Sequence, residues 1–129
     1  MTPNGRDAAP VLIVDDDDLA CLALAGLLQR SGIGVICAPT PDHAHQAGDC
    51  GVIVSELRLT GQTDAEGEAL LQELRSRRPA APVVIFSSFL GTTHAAEPIA
   101  GAAAALPKST PLSEVAATIR LLLEGGSLT

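Results

Sequence analysis

Four aliphatic residues, Val11 to Val14, run without interruption into four aspartates, Asp15 to Asp18. An all-apolar run this short has the pattern of a strand buried on both faces, which requires covering layers above and below it. Similar runs return at 34–38, 52–57, 83–86 and 103–106. The segments between them carry helical spacing. Leu24, Leu27 and Leu28 mark a first helix, ended by Gly32. Thr40 and Pro41 read as the N-cap and first residue of a short helix reaching Ala47. Residues 61–63 read as a loop, and Asp64–Arg77 as a helix with Leu70, Leu71 and Leu74 turned inward. Pro79 and Pro82 bracket a turn. Residues 94–100 are expected to be helical, although Pro98 interrupts them and removes a hydrogen bond. Thr110 and Pro111 repeat the capping signal, and Leu112, Val115, Ile119 and Leu122 lay one apolar stripe along a final helix.

Five strands alternating with five helices specify an α/β domain with right-handed crossovers and a parallel sheet covered on both faces. The 129 residues fit one domain, with a flexible polar segment at 1–9 and the start of a linker or tail at 125–129. Hydrophobic residues make up 47% of the chain but only Phe86 and Phe89 are aromatic, so small aliphatic side chains must interdigitate to form the core.

The formal net charge of -7 repels phosphate backbones and anionic lipid, which argues against nucleic-acid or membrane binding by this chain alone. Arg75, Arg77 and Arg78 form the one basic cluster and sit at a helix end, where cations favour the dipole. Cys21, Cys37 and Cys50 are odd in number and contain no CxxC pair. That argues against a zinc site or a disulfide framework and for a reducing cytoplasm. His43 and His45 are two apart on a helix, so they point to different sides and are expected in solvent. No apolar stretch reaches the roughly 18 residues of a spanning helix, and the polar start has no signal-peptide core. A soluble, cytoplasmic protein is expected.

In such sheets chemistry gathers at the carboxyl ends of the strands. Asp15 and Asp16 follow the first strand, Glu56 ends the third, Ser87 follows the fourth and Lys108 the fifth. Adjacent carboxylates repel and need a cation, either a divalent metal or a lysine. A hard, oxygen-rich set of this kind suits Mg2+, which keeps its waters and uses few protein ligands.

The segments VLIVDDDD, VIVSELRLTG, PVVIFSS and GAAAALPK, in this order and at these separations, resemble the receiver domain of bacterial response regulators along nearly the whole chain. The resemblance implies a flavodoxin-like doubly wound (βα)5 fold with sheet order 2-1-3-4-5. It implies a phosphoryl-acceptor position, loaded by a partner histidine kinase with the help of magnesium. Asp16, the Glu56 side chain and the backbone carbonyl of Arg58 would then hold the metal, with Asp15 acting through water. Ser87 would hydrogen-bond a phosphoryl oxygen and Lys108 would neutralise its charge.

The sequence departs from the family pattern at four places. Glu56 stands where the acceptor aspartate belongs, and its extra methylene is expected to move the carboxylate outward by about 1.5 Å, a misplacement on the scale that costs 10²-fold. The longer side chain is also expected to pair with Lys108 and hold the domain in one state. Ala105 takes the position of an aromatic residue that swings with phosphorylation. Ser109 follows Lys108 where many members carry a cis-proline, so a trans bond or a rearranged loop is expected. The stretch between Ser87 and Gly101 is about one residue short for the family and contains Pro98.

The resemblance therefore implies an atypical receiver that works without phosphorylation. It would bind a protein partner (a histidine kinase or a downstream effector) or form a homodimer through the fourth helix, fifth strand and fifth helix. The alternative is the regulatory half of a helix-turn-helix transcriptional regulator. A magnesium-dependent phosphatase is remote, because no lid or phosphate-gripping glycine loop accompanies Asp15 and Asp16. A binding module and not an enzyme is expected.

Overall fold

The computed structural model describes residues 9–57, 59, 64–88 and 101–125. Its elements are β1 (Val11–Val14), α1 (Asp18–Arg30), β2 (Val35–Ala38), α2 (Pro41–Gln46), β3 (Val52–Ser55), α3 (Asp64–Arg77), β4 (Val83–Ser87), β5 (Ala104–Pro107) and α4 (Leu112–Leu123). The strands form one parallel sheet in the order β2-β1-β3-β4-β5, as the receiver resemblance implies. The helix expected at 94–100, the loop at 61–63, the segment shortened before Gly101 and both terminal segments lie outside the described residues, apart from Ala9 and Gly125. The last helix, fifth in the sequence reading, is α4 here.

Alternation along each strand builds two cores, because successive side chains leave opposite faces of a sheet. Val11, Ile13, Val52, Val54, Val84 and Phe86 pack under α1 and α4, which contribute Leu24, Leu28, Val115 and Ile119. Leu12, Val14, Ile53, Val83 and Ile85 pack under α2 and α3, which contribute Ala44, Leu70, Leu71 and Leu74. The aliphatic composition is thus sufficient. Truncating a fully buried leucine such as Leu74 to alanine removes about 2–5 kcal/mol.

Local signals set most boundaries. Asp17 caps α1 by accepting from Ala20 N at 3.2 Å, and Gly32 follows the helix with φ +81, a backbone region where a side chain would be strained. Thr40 caps α2 by accepting from His43 N. Gly51 has a packing reason: a Cβ there would lie 2.7 Å from Leu123 Cδ2.

The final helix departs from expectation by one residue. Pro111, at φ -56 and ψ 138, is the N-cap of α4, and no side chain caps that end. The Pro111 carbonyl accepts from Glu114 N and Val115 N, while Thr110 N closes a turn onto the Pro107 carbonyl, so Thr110 lies before the cap.

A second correction concerns the cysteines. Cys21 of α1 and Cys37 of β2 form a disulfide, and Cys50 is free. The crossover from β1 through α1 to β2 brings the two together, a proximity that counting and spacing of cysteines could not supply. Among the described residues no helix is long and apolar enough to cross a membrane.

Candidate functional site

Asp15, Glu56 and Lys108 sit one step beyond their strands, Ser87 is the last residue of β4, which runs one residue past its expected end, and backbone bonds fix each to its neighbour. Asp15 N donates to the Ala38 carbonyl (3.1 Å), Glu56 N to the Val14 carbonyl (2.9 Å) and Lys108 N to the Ser87 carbonyl (3.0 Å). The parallel ladder therefore continues into the site and holds residues from four strands in register. Asp15 and Glu56 are buried, at 4% and 8% exposure, and Ser87 is wholly buried. Asp16 is half-buried at the bend that follows.

Lys108 supplies the cation. Its Nζ lies 2.8 Å from Asp15 Oδ2 and 3.3 Å from Glu56 Oε1, and 5.3 Å from the centre of the Phe86 ring. Burial alone pulls the Lys108 pKa down. The hydrogen bond and charge of Asp15, and then those of Glu56, outweigh that effect and leave it above the usual lysine value. The remaining carboxylate oxygens are also engaged. Asp15 Oδ1 accepts from Asp17 N at 2.9 Å. Glu56 Oε2 accepts from Leu57 N at 2.8 Å and from the Ser87 hydroxyl.

The bond to Leu57 N means that the Glu56 side chain bends back over its own backbone, so its extra methylene is taken up in a turn and not in outward reach. It also explains why β3 stops at Ser55, short of the expected 57: Leu57 N bonds a side chain and leaves the ladder. The buried Ser55 hydroxyl donates to the Glu56 carbonyl and pins the same residue from below.

Of the two cations that the carboxylates could take, these contacts supply the lysine. Both oxygens of Asp15 and of Glu56 already hold donors, and among the described residues no three His, Cys, Asp or Glu side chains gather as a metal site. Of the other two expected ligands, Asp16 is half-buried beside Asp15, and Arg58, whose carbonyl was the third, lies outside the described residues. Ala105 lies on β5 opposite Ile85 and is exposed, a methyl group where the receiver resemblance implies a ring. Every described peptide bond is trans, including that between Lys108 and Ser109.

Sequence reasoning misplaced other polar residues. Arg78, assigned to the end of its own helix, is buried and serves a neighbouring one. Its Nε donates to the Gly48 carbonyl at 3.0 Å, and its terminal nitrogen donates to the carbonyls of Ala44 and Ala47 at the end of α2. The signal was available, since Leu71, Leu74 and Arg78 share one helical face at i, i+3, i+7. His43 is exposed as expected and meets Thr40 Oγ1 through Nδ1 at 2.6 Å. His45 is half-buried, more covered than expected, with Nε2 3.5 Å from Glu73 Oε1.

A doubly wound parallel sheet with carboxylates, a hydroxyl and a lysine at its switch point defines a class of α/β domain. No protein-family model matches the chain, and no curated protein matches it in sequence. Solved structures do. A CheY-like response regulator receiver domain protein from Methanospirillum hungatei JF-1 superposes with a TM-score of 0.76 and 20% identity, over 91% of this chain and 94% of that one. The receiver domain of nitrogen regulatory protein C in its apo form gives 0.73 and 25% identity, over 95% and 98%. The response regulator TrrA from Thermotoga maritima, in complex with magnesium and BeF, gives 0.72 and 18%, over 88% and 98%. The chain has the flavodoxin-like fold of response-regulator receiver domains.

Proposed function

We propose that this chain is an atypical receiver domain that signals without being phosphorylated, by binding a protein partner or a second copy of itself. The observation that carries the reading is the pair of bonds on Glu56. The Ser87 hydroxyl and the Lys108 ammonium, the two groups expected to contact a phosphoryl group held at position 56, are both given to its carboxylate. A carboxylate held this way is a poor in-line nucleophile, because transfer to it depends on positioning and charge neutralisation. Asp15 draws on the same lysine, so the constellation rests in one fixed state.

Ala105 supports the same reading, since a methyl group cannot report a change of state by swinging. The acidic surface disfavours nucleic acid as the partner. Leu19 and Leu22, one helical turn apart on α1, are 80% and 66% exposed, a surface suited to protein contact. The site offers a hydroxyl and carboxylates already committed to one another, so the chain acts as a binding module and not as an enzyme.

The test is an amide NMR titration with magnesium and then beryllofluoride, on the native protein and on Glu56→Asp. The native protein is expected to be silent to beryllofluoride, and Glu56→Asp to respond with shifts at Ser87 and Lys108. A native response, or efficient phosphorylation of the native chain, overturns the reading.

A further inference from the structure

We propose that the Cys21–Cys37 pair is a redox modification site, at which a small dithiol opens a covalent tether between α1 and the edge strand β2. The two ends of the bond differ in access. Cys21 is 4% exposed, within the core under α1, whereas Cys37 is exposed near the end of a strand that has a neighbour on one side only. The thiolate of the dithiol attacks Cys37 Sγ, the S–S bond breaks, and its electron pair leaves on Cys21 Sγ, which takes a proton. The second thiol then displaces Cys37 from the mixed disulfide. Two electrons and two protons pass to the protein, leaving two protein thiols and an oxidised dithiol.

The tether closes a ring that contains the start of the acidic site. Cys37 pairs with Ile13 across the sheet, the next residue's carbonyl (Ala38) accepts from Asp15 N, and Asp15 Oδ1 accepts from Asp17 N. Asp17 caps α1, whose first turns carry Cys21. With the bond closed, the turn from β1 into α1 is fixed at both sides. With it open, only packing and those hydrogen bonds position Asp15, and through it Lys108. Cys21 remains a small apolar group among Leu24, Leu28 and Val115 after reduction, so opening does not dismantle the core. Nothing in this inference depends on how Glu56 behaves, and its readouts do not involve beryllofluoride.

The experiment uses the full chain, with thiols counted by alkylation after unfolding. Oxidised glutathione is expected to leave one alkylatable thiol, Cys50, and dithiothreitol added to the folded protein to restore three. Reduction should shift the amides of residues 15–21 and 35–38 and that of Lys108, reversibly. Three thiols after oxidised glutathione overturn the proposal. So does a bond that excess dithiothreitol opens only once the protein is unfolded, which would make it a static staple. Single variants then locate the attacked sulfur: Cys37 in Cys21→Ser is expected to take up glutathione about tenfold faster, or more, than Cys21 in Cys37→Ser. Equal rates overturn that assignment, and the native measurement decides the rest should either variant fail to fold.

Discussion

Lys108 Nζ stands 2.8 Å from Asp15 Oδ2, joining the residue after the last strand of the sheet to the residue after the first. Glu56 shares that ammonium from the strand next to β1, so one cation offsets two buried carboxylates.

Replacing Lys108 by methionine should therefore be costly. It leaves Asp15 and Glu56 uncompensated in the interior, a loss of about 3–5 kcal/mol in denaturant unfolding. Adding Glu56→Gln should recover part of that loss, because one of the stranded charges is removed. A cost under about 1 kcal/mol would mean that the pair behaves as a solvated surface bridge.

The same lysine sets an alkaline limit. Its pKa is raised on folding, so its stabilising charge is fully present below the unfolded value of about 10.4 and is lost as pH rises through the higher folded value. The stability difference between the native protein and Lys108→Met should be flat from neutral pH to about 10 and shrink above it. Equilibrium unfolding across that range measures it.

Arg78→Met should act at a distance from the site. It removes the side-chain donor from the carbonyls of Ala47 and Gly48, and one of two donors from that of Ala44, and costs about 2–4 kcal/mol. The effect should concentrate on α2, since a six-residue helix has little stability of its own. Faster amide hydrogen exchange at residues 42–46 than in α3 is the expected pattern, and a uniform loss across the domain would contradict it.

Reducing the Cys21–Cys37 bond should lower stability by about 3 kcal/mol, the loop-closure effect for a sequence separation of 16. Urea midpoints with and without dithiothreitol give the value. An unchanged midpoint would mean that the unfolded chain gains no freedom from the cut.

Cys50 should be the sluggish thiol. Burial pushes its pKa up, the nearby Arg78 charge opposes that shift, and Asp49 adds to it. Iodoacetamide near neutral pH should label the folded protein more slowly than the unfolded chain at Cys50, with the gap closing as pH rises. Equal rates would place the thiol in solvent.

Much of this protein was legible in the sequence because the signals are local. Apolar runs of four or five residues specified the strands, and Gly32, Thr40 and Pro41 specified where helices stop and start, each through its own backbone chemistry. The site residues Asp15, Glu56, Ser87 and Lys108 could be named because strand ends converge in any such sheet. Where a hydrogen bond that the pattern does not reveal took over, the reading slipped. Leu57 left β3 for a carboxylate, Pro111 displaced Thr110 as the cap, and Arg78 turned from its own helix to α2.

Only the tertiary structure decided that Lys108 joins the two carboxylates, where the Glu56 side chain turns and which cysteines meet. Those outcomes depend on distances of a few ångströms between residues far apart in the chain, such as Ser87 and Glu56. Periodicity fixes which face a side chain leaves and says nothing of what it reaches. Crossover geometry and the register of the sheet supply that: Ile13 beside Cys37, Val14 beside Ser55, Ser87 beside Pro107.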